Sequence, residues 1–151
     1  MYYKKEGKKM KKESITKITV RYSETDKMGI VHHSRYYPWF EVARGDFIKM
    51  IGLSYDQMEK DGIYLPLIET GARYFEGAKY DEDVEVFCRL KSMGVVRCTF
   101  EYEVKRTSDG KILTTGKTSH AFCDTTMKPI NLKKKYPEYY DKISALVCGE
   151  E

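Results

Sequence analysis

An aspartate, a glycine and a short polar run stand close together in the stretch Arg21 to Arg44, at Asp26, Gly29 and His32-His33-Ser34. A carboxylate can attack a carbonyl carbon, forming a mixed anhydride, or activate water to do so. The opening turn of a helix offers backbone N–H groups and a positive dipole end to an oxygen that becomes negative. Acyl transfer needs both functions at one point. The spacing brings a carboxylate and a helix start together, and does not choose between the two routes. Taken alone, Asp26 is better read as a turn or cap aspartate. Only its context can change that.

The elements around these residues are legible as periodicity. Ile18, Val20 and Tyr22 alternate with Thr19 and Arg21, the period of a strand with one buried face, which would place Tyr22 in the core and deliver Asp26 to a turn. Gly29 permits a backbone that a side chain would hinder, and Ser34 is the expected N-cap of the following helix. Tyr36, Trp39, Phe40, Ala43, Phe47, Met50 and Ile51 recur at three- and four-residue steps, as one apolar stripe on a long helix. Pro38, tolerable only in a first turn, fixes the start near Tyr36. Gly45 within the helix predicts close approach to a sheet, and Gly52 a stop.

Ser54-Tyr55-Asp56-Gln57 has the spacing of a capping box and predicts a short helix to about Asp61. Leu65 to Phe75 reads as a strand interrupted by Gly71. Alternation through Val84–Leu90 and Val96–Val104 gives two neighbouring strands across a turn at Met93-Gly94. Ser108-Asp109-Gly110 is a second hairpin signal, returning the chain into Lys111 to Asp124. Tyr136, Tyr139, Tyr140, Ile143, Leu146 and Val147 mark a last amphipathic helix from about Pro137. The order implies an α+β fold, a five-stranded antiparallel sheet wrapped around one long helix.

Composition narrows the class. At 151 residues, with 41% hydrophobic and 33% charged residues and no apolar run of membrane-spanning length, the chain reads as one domain without stable membrane insertion. A flexible basic arm over residues 1–13 precedes a domain over 14–147. The arm holds six lysines of a chain whose net charge is +4, and no apolar segment follows it as a secretory signal would require. It lacks the interleaved motifs of nucleic-acid recognition, so no nucleic-acid partner is expected. Cys88, Cys98, Cys123 and Cys148 form no Cys-x-x-Cys pair and have no nearby His at ligand spacing. Reduced thiols in a cytoplasmic protein, with no metal and no cofactor, are the expectation.

The stretch from Tyr22 resembles the signature of the hotdog-fold acyl-CoA thioesterases, the 4-hydroxybenzoyl-CoA thioesterase group that includes the tol-pal-associated enzymes. That signature is Tyr-x-x-Thr-Asp-x-x-Gly-x-Val-x-His/Tyr, followed by Tyr and Glu-x-Ala-Arg in a helix. Tyr22, Thr25, Asp26, Gly29, Val31, His33, Tyr36 or Tyr37, and Glu41-Val42-Ala43-Arg44 meet it without insertion. A weaker likeness continues from Leu65 to Asp124. The resemblance implies hydrolysis of an acyl-CoA with Asp26 as base or nucleophile and the His33 backbone N–H as oxyanion donor. The His33 imidazole either positions the thioester or Asp26, or is a polar helix-start side chain whose backbone does the work. His32 is expected to face solvent or a neighbouring subunit.

Three further residues enter on the same resemblance as substrate-binding candidates. Tyr22 could turn its hydroxyl to the acyl site, Glu69 stands where relatives carry an acid, and Arg97 could meet the phosphates of coenzyme A. Arg89 and Lys91 lie near Arg97, while Gly94-Val95-Val96 replaces the basic hairpin tip of some relatives. The resemblance further implies a homodimer or homotetramer with sites between protomers. The alternative is a hotdog protein that binds acyl-CoA as sensor or scaffold without turnover. Dehydratases of the same fold rely on a different His-centred site, and the Thr-Asp-x-x-Gly pattern speaks for hydrolysis.

Overall fold

The computed structural model describes residues 11–148. The arm expected over residues 1–13 falls mostly outside them, and Glu13 already belongs to a strand. Five antiparallel strands form one sheet in the order β1-β3-β4-β5-β2. They are β1 (Glu13–Thr19), β2 (Leu67–Tyr74), β3 (Asp83–Met93), β4 (Arg97–Arg106) and β5 (Ile112–Ala121). Helix α1 (Tyr36–Met50) lies against the inner face. Short helices α2 (Tyr55–Lys60), α3 (Leu132–Lys135) and α4 (Pro137–Ser144) close the ends. None of these is long and apolar enough to cross a membrane.

The core forms where the two periodicities meet. Tyr36, Trp39, Phe40, Ala43, Phe47 and Ile48 are the buried face of α1. Val84, Val86, Cys88 and Leu90 of β3 face them, with Cys98, Phe100, Tyr102 and Val104 of β4. Burying each of the larger side chains contributes about 1.5–3 kcal/mol. Ser54 caps α2 by accepting from Gln57 N–H, but the Gln57 side chain reaches Asp61 instead of closing a capping box. Gly110 takes up the hairpin turn with φ +71.

Three local expectations are corrected. The first strand runs over Glu13–Thr19, not Ile18 to Tyr22, and Tyr22 sits in a 3-10 turn (Tyr22–Glu24), 75% exposed and edge-on to Tyr80. Apolar alternation missed the strand because its inward residues are hydroxyls. Ser14 donates to the Ala43 carbonyl and Thr16 to Asp46 on α1. Gly45 approaches nothing, since a Cβ there would meet no atom within 4 Å. The close approach is made at Gly116 on β5, where the Phe40 ring occupies the place of a side chain.

Gly45→Ala therefore gains helix propensity without a clash. It is expected to stabilise the fold by about 0.5–1 kcal/mol, seen as a higher denaturation midpoint. A lower midpoint would mean that this face of α1 is covered in the assembled protein.

A polar row crosses the interior under α1. Arg44 donates to the Tyr102 hydroxyl at 3.1 Å, Tyr102 and Thr118 share a hydrogen bond at 2.7 Å, and Thr118 meets His120 Nε2 at 2.9 Å. Burial, and then the Arg44 charge, depress the His120 imidazole to about 4. Between that value and the ordinary 6.5 the unfolded chain binds a proton that the folded one does not, so stability falls as pH drops through this window. His120→Asn is expected to flatten the unfolding free energy between pH 6.5 and about 4. An unchanged slope would contradict the assignment.

Candidate active site

The residues singled out by their chemistry lie in a loop between β1 and α1. Thr25 and Val31 pair across it, Asp26 N–H donates to the Ile30 carbonyl at 2.9 Å, and Gly29 N–H returns to the Asp26 carbonyl at 2.9 Å. Gly29 has φ +84, a conformation that L side chains resist. Asp26 Oδ1 accepts from Met28 N–H at 2.8 Å, an Asx turn. Oδ2 has no hydrogen-bond or ion-pair partner among the described residues. The half-buried aspartate thus performs the turn role with one oxygen and keeps the other free.

Two connections hold this loop against the body. The buried Glu24 accepts from the Trp39 indole at 2.8 Å, from Arg21 N–H at 2.8 Å, and from the Arg21 guanidinium at 3.2 Å. Burial alone would raise its carboxyl, but these bonds outweigh burial and hold it below the ordinary carboxylate range. On the other side Val31 N–H donates to the Ala78 carbonyl, and a Cβ at Gly77 would stand 2.6 Å from Ile30. Neither Glu24 nor Gly77 was marked by sequence reasoning. No periodicity or motif points to Glu24 as internal, and its partner Trp39 lies on α1, past the loop.

Past the loop, a 3-10 turn over His33–Arg35 runs directly into α1. Ser34 is not its cap. The His32 ring is, with Nδ1 accepting from Ser34 N–H at 3.3 Å and lying 2.9 Å from Ser34 Oγ. Arg35 N–H donates to the His32 carbonyl. The His33 N–H donates to no acceptor among the described residues. The His33 ring is exposed, lying over His32 with centroids 4.2 Å apart and edge-on to Tyr74 at 6.3 Å.

Asp26 and His33 line one cleft of about 370 Å³, with Met28, Ile30, Tyr36, Tyr74, Phe75 and Glu76 among its other walls. Tyr36, Tyr74 and Phe75 are its aromatic walls. Tyr36 and Tyr74 lie 5.6 Å apart, and burial, then Tyr37, push the Tyr74 phenol up to about 12, so it stays protonated. Glu76 is turned to cations: Lys111 and Arg106 each hold it at 2.7 Å and bring its carboxyl down to about 2. Arg106 also binds Glu82 and Asp109, so charge pairs fix this wall.

The other candidates lie elsewhere in the chain. Tyr22 is on the surface beside Tyr80. Glu69 is exposed on the edge strand β2, opposite Ser119. Arg97 is exposed at the start of β4, at the opposite end of the sheet from Tyr74, Arg106 and the cleft. Arg89 and Lys91 pair with Glu13 and Glu101. Among the described residues no group of three or more His, Cys, Asp or Glu is placed to hold a metal ion.

Comparison with known proteins places the chain in a family. The Thioesterase-like superfamily matches residues 20–141. YneP of Bacillus subtilis (strain 168), whose name provisionally makes it an acyl-CoA thioesterase, is 32% identical over 124 residues, covering 82% of this chain and 89% of its own. The DHNA-CoA thioesterase from Staphylococcus aureus has a similar structure, with TM-score 0.84, 38% identity, and 89% of this chain and 90% of that one covered. A hypothetical protein from Thermus thermophilus, TT1821, follows with TM-score 0.81 and 37% identity, covering 90% and 98%. The chain therefore belongs to the Thioesterase-like superfamily, with the hotdog fold, and is by that membership a thioester hydrolase.

Proposed function

We propose that the protein hydrolyses an acyl-CoA to the free acid and coenzyme A, in the cleft shared by Asp26 and His33. The observation that carries this reading is that one cleft is lined both by Asp26, whose Oδ2 lacks a partner among the described residues, and by His33 at the helix start, whose backbone N–H lacks one too. The thioester carbonyl oxygen takes the His33 N–H, where the positive end of α1 stabilises the charge that develops. Asp26 Oδ2 then either attacks the carbonyl carbon, expelling the thiolate and leaving an anhydride that water cleaves, or takes a proton from the water that attacks. The His33 imidazole flanks the acyl group. Tyr36, Tyr74 and Phe75 favour an acyl group carrying an aromatic ring.

A homodimer completes this reading. The edge strand β2 exposes Leu67, Ile68 and Tyr74, with Phe75 just beyond it, and a second copy joined there would cover them. Arg97, distant from the cleft within one chain, would then stand at the end of the sheet nearer the partner's cleft, where a coenzyme A phosphate could reach it. Tyr22, on the surface, is left a minor contact at most. Four unpaired thiols suit a reducing compartment, and we place the protein in the cytoplasm.

A panel of aryl, short-chain and long-chain acyl-CoA thioesters, followed by release of the free thiol, tests the function. The expected result is turnover, fastest with aryl groups. Tight binding of an acyl-CoA with no thiol released at any chain type would favour the sensor alternative and overturn this reading.

A further inference from the structure

The charges on β2 point to the register in which two copies meet, an inference that rests on the dimer proposed above. β2 is an edge strand, hydrogen-bonded to β5 on one side only. Its residues are exposed along almost the whole length, and it carries two charged side chains, Glu69 and Arg73. Both are exposed, and neither has an ion-pair partner among the described residues. They are spaced symmetrically about Gly71. On β5 their neighbours are Ser119 and Thr115, and Gly71 faces Lys117. Glu69, Gly71 and Arg73 therefore share the outer face of the sheet, where a trough of about 460 Å³ opens over Gly71 and is bordered by Arg73 and Lys117.

We infer that two copies pair antiparallel along β2, centred on Gly71, so that Glu69 of each lies opposite Arg73 of the other. A twofold axis allows only registers in which some residue faces itself, because a continuous sheet must keep both helices on one side. Centred on Thr70, Glu69 would face Gly71 and Arg73 would face Leu67. Centred on Ala72, Arg73 would face Gly71 and Glu69 would face Phe75. Centres at Glu69 or Arg73 set like charges against each other, which is destabilising. Only the Gly71 centre matches both charges, and it does so twice.

The same register has a consequence for catalysis. Tyr74 and Phe75, 44% and 58% exposed, are walls of the Asp26 cleft. Centring on Gly71 brings Leu67 and Ile68 of the second copy, 55% and 47% exposed, to their level. The bulge between Leu67 and Glu69 falls at this point and lets the strand end bend over the cleft. Each copy thus supplies apolar cover to the other's site. Glu69 serves the dimer, and substrate only through it.

Charge reversal tests the pairing. Dimer dissociation constants of the wild type, Glu69→Arg, Arg73→Glu and the double variant are measured by sedimentation, with thiol release assayed across the same concentrations. Each single reversal sets like charges opposite one another twice, and is expected to weaken the dimer on the order of tenfold or more, with hydrolysis falling as the dimer is lost. The double variant is expected to recover both. Single reversals that dimerise as the wild type does, or a double variant weaker than either single, overturn the register while leaving the dimer. A monomeric wild type at high concentration overturns both. Recovery of the dimer by the double variant in a protein that releases no thiol would uphold the pairing and sink only the proposed activity.

Discussion

Asp26→Asn is expected to lower kcat by about 10²- to 10⁴-fold, the range associated with removing a positioned base or nucleophile, while KM and the folded structure stay close to those of the parent. The substitution separates the turn role that Asp26 fills from the catalytic role proposed for it. Its Oδ1 holds Met28 N–H in the turn, and an asparagine oxygen can accept the same bond. Its Oδ2 is replaced by an amide nitrogen, which neither attacks a carbonyl nor accepts a proton from water. Asp26→Ala would remove both roles and confuse lost chemistry with a loosened loop. Asparagine keeps them apart. Steady-state thiol release, with a thermal midpoint for each variant, reads out the difference. Wild-type kcat in a folded Asp26→Asn protein would rule out the carboxylate.

The second large effect concerns packing. Gly116→Ala puts a methyl 2.5 Å from Phe40 Cε2 and 2.6 Å from Cζ, with the Gly71 carbonyl at 3.1 Å. The ring has little room to retreat, because it stacks on Tyr102 at 4.4 Å and 12°, and Tyr102 is itself tied to Arg44 and Thr118. Overpacking of this kind costs about 1–3 kcal/mol. For a domain of this size the melting temperature is expected to drop by about 4–10 °C. Adding Phe40→Leu should return part of the loss by freeing the space. Unchanged melting of Gly116→Ala would show that α1 does not sit as close to β5 as the structure has it.

How much of this was legible in the sequence depended on what each residue touches. The long helix was readable from Pro38 and the stripe Tyr36–Phe47, because the side chains it buries are all apolar or aromatic and one period describes them. β3 and β4 were readable for the same reason. β1 was not, since Ser14 and Thr16 face inward to bond α1 and carry no hydrophobic signal. The cap was misassigned to Ser34 because side-chain preference favours serine, whereas the ring of His32 reaches the Ser34 amide first. Gly45 and Gly116 illustrate the same limit, as a glycine's purpose is set by the atom that would meet its Cβ, and for Gly116 that atom is distant in sequence.

Within the site, Asp26, Gly29 and His33 were found because they follow one another along the chain. Glu24, Gly77, Tyr74 and Glu76 were not found, or not as site residues, since only folding brings their segments to the loop. Glu69 was chosen by position in a resemblance and Arg97 for a charge that coenzyme A phosphates would need, and within one chain neither lines the cleft. In the proposed dimer, both act through the second copy.

The most direct measurement of the central claim is a crystal structure of the Asp26→Asn variant with a non-hydrolysable aryl-CoA analogue. The expected complex has the carbonyl oxygen within hydrogen-bond distance of the His33 N–H, the carbonyl carbon beside the substituted side chain, and the aryl group among Tyr36, Tyr74 and Phe75. An analogue seated with its carbonyl away from the His33 amide, or held in the outer trough over Gly71, would contradict it.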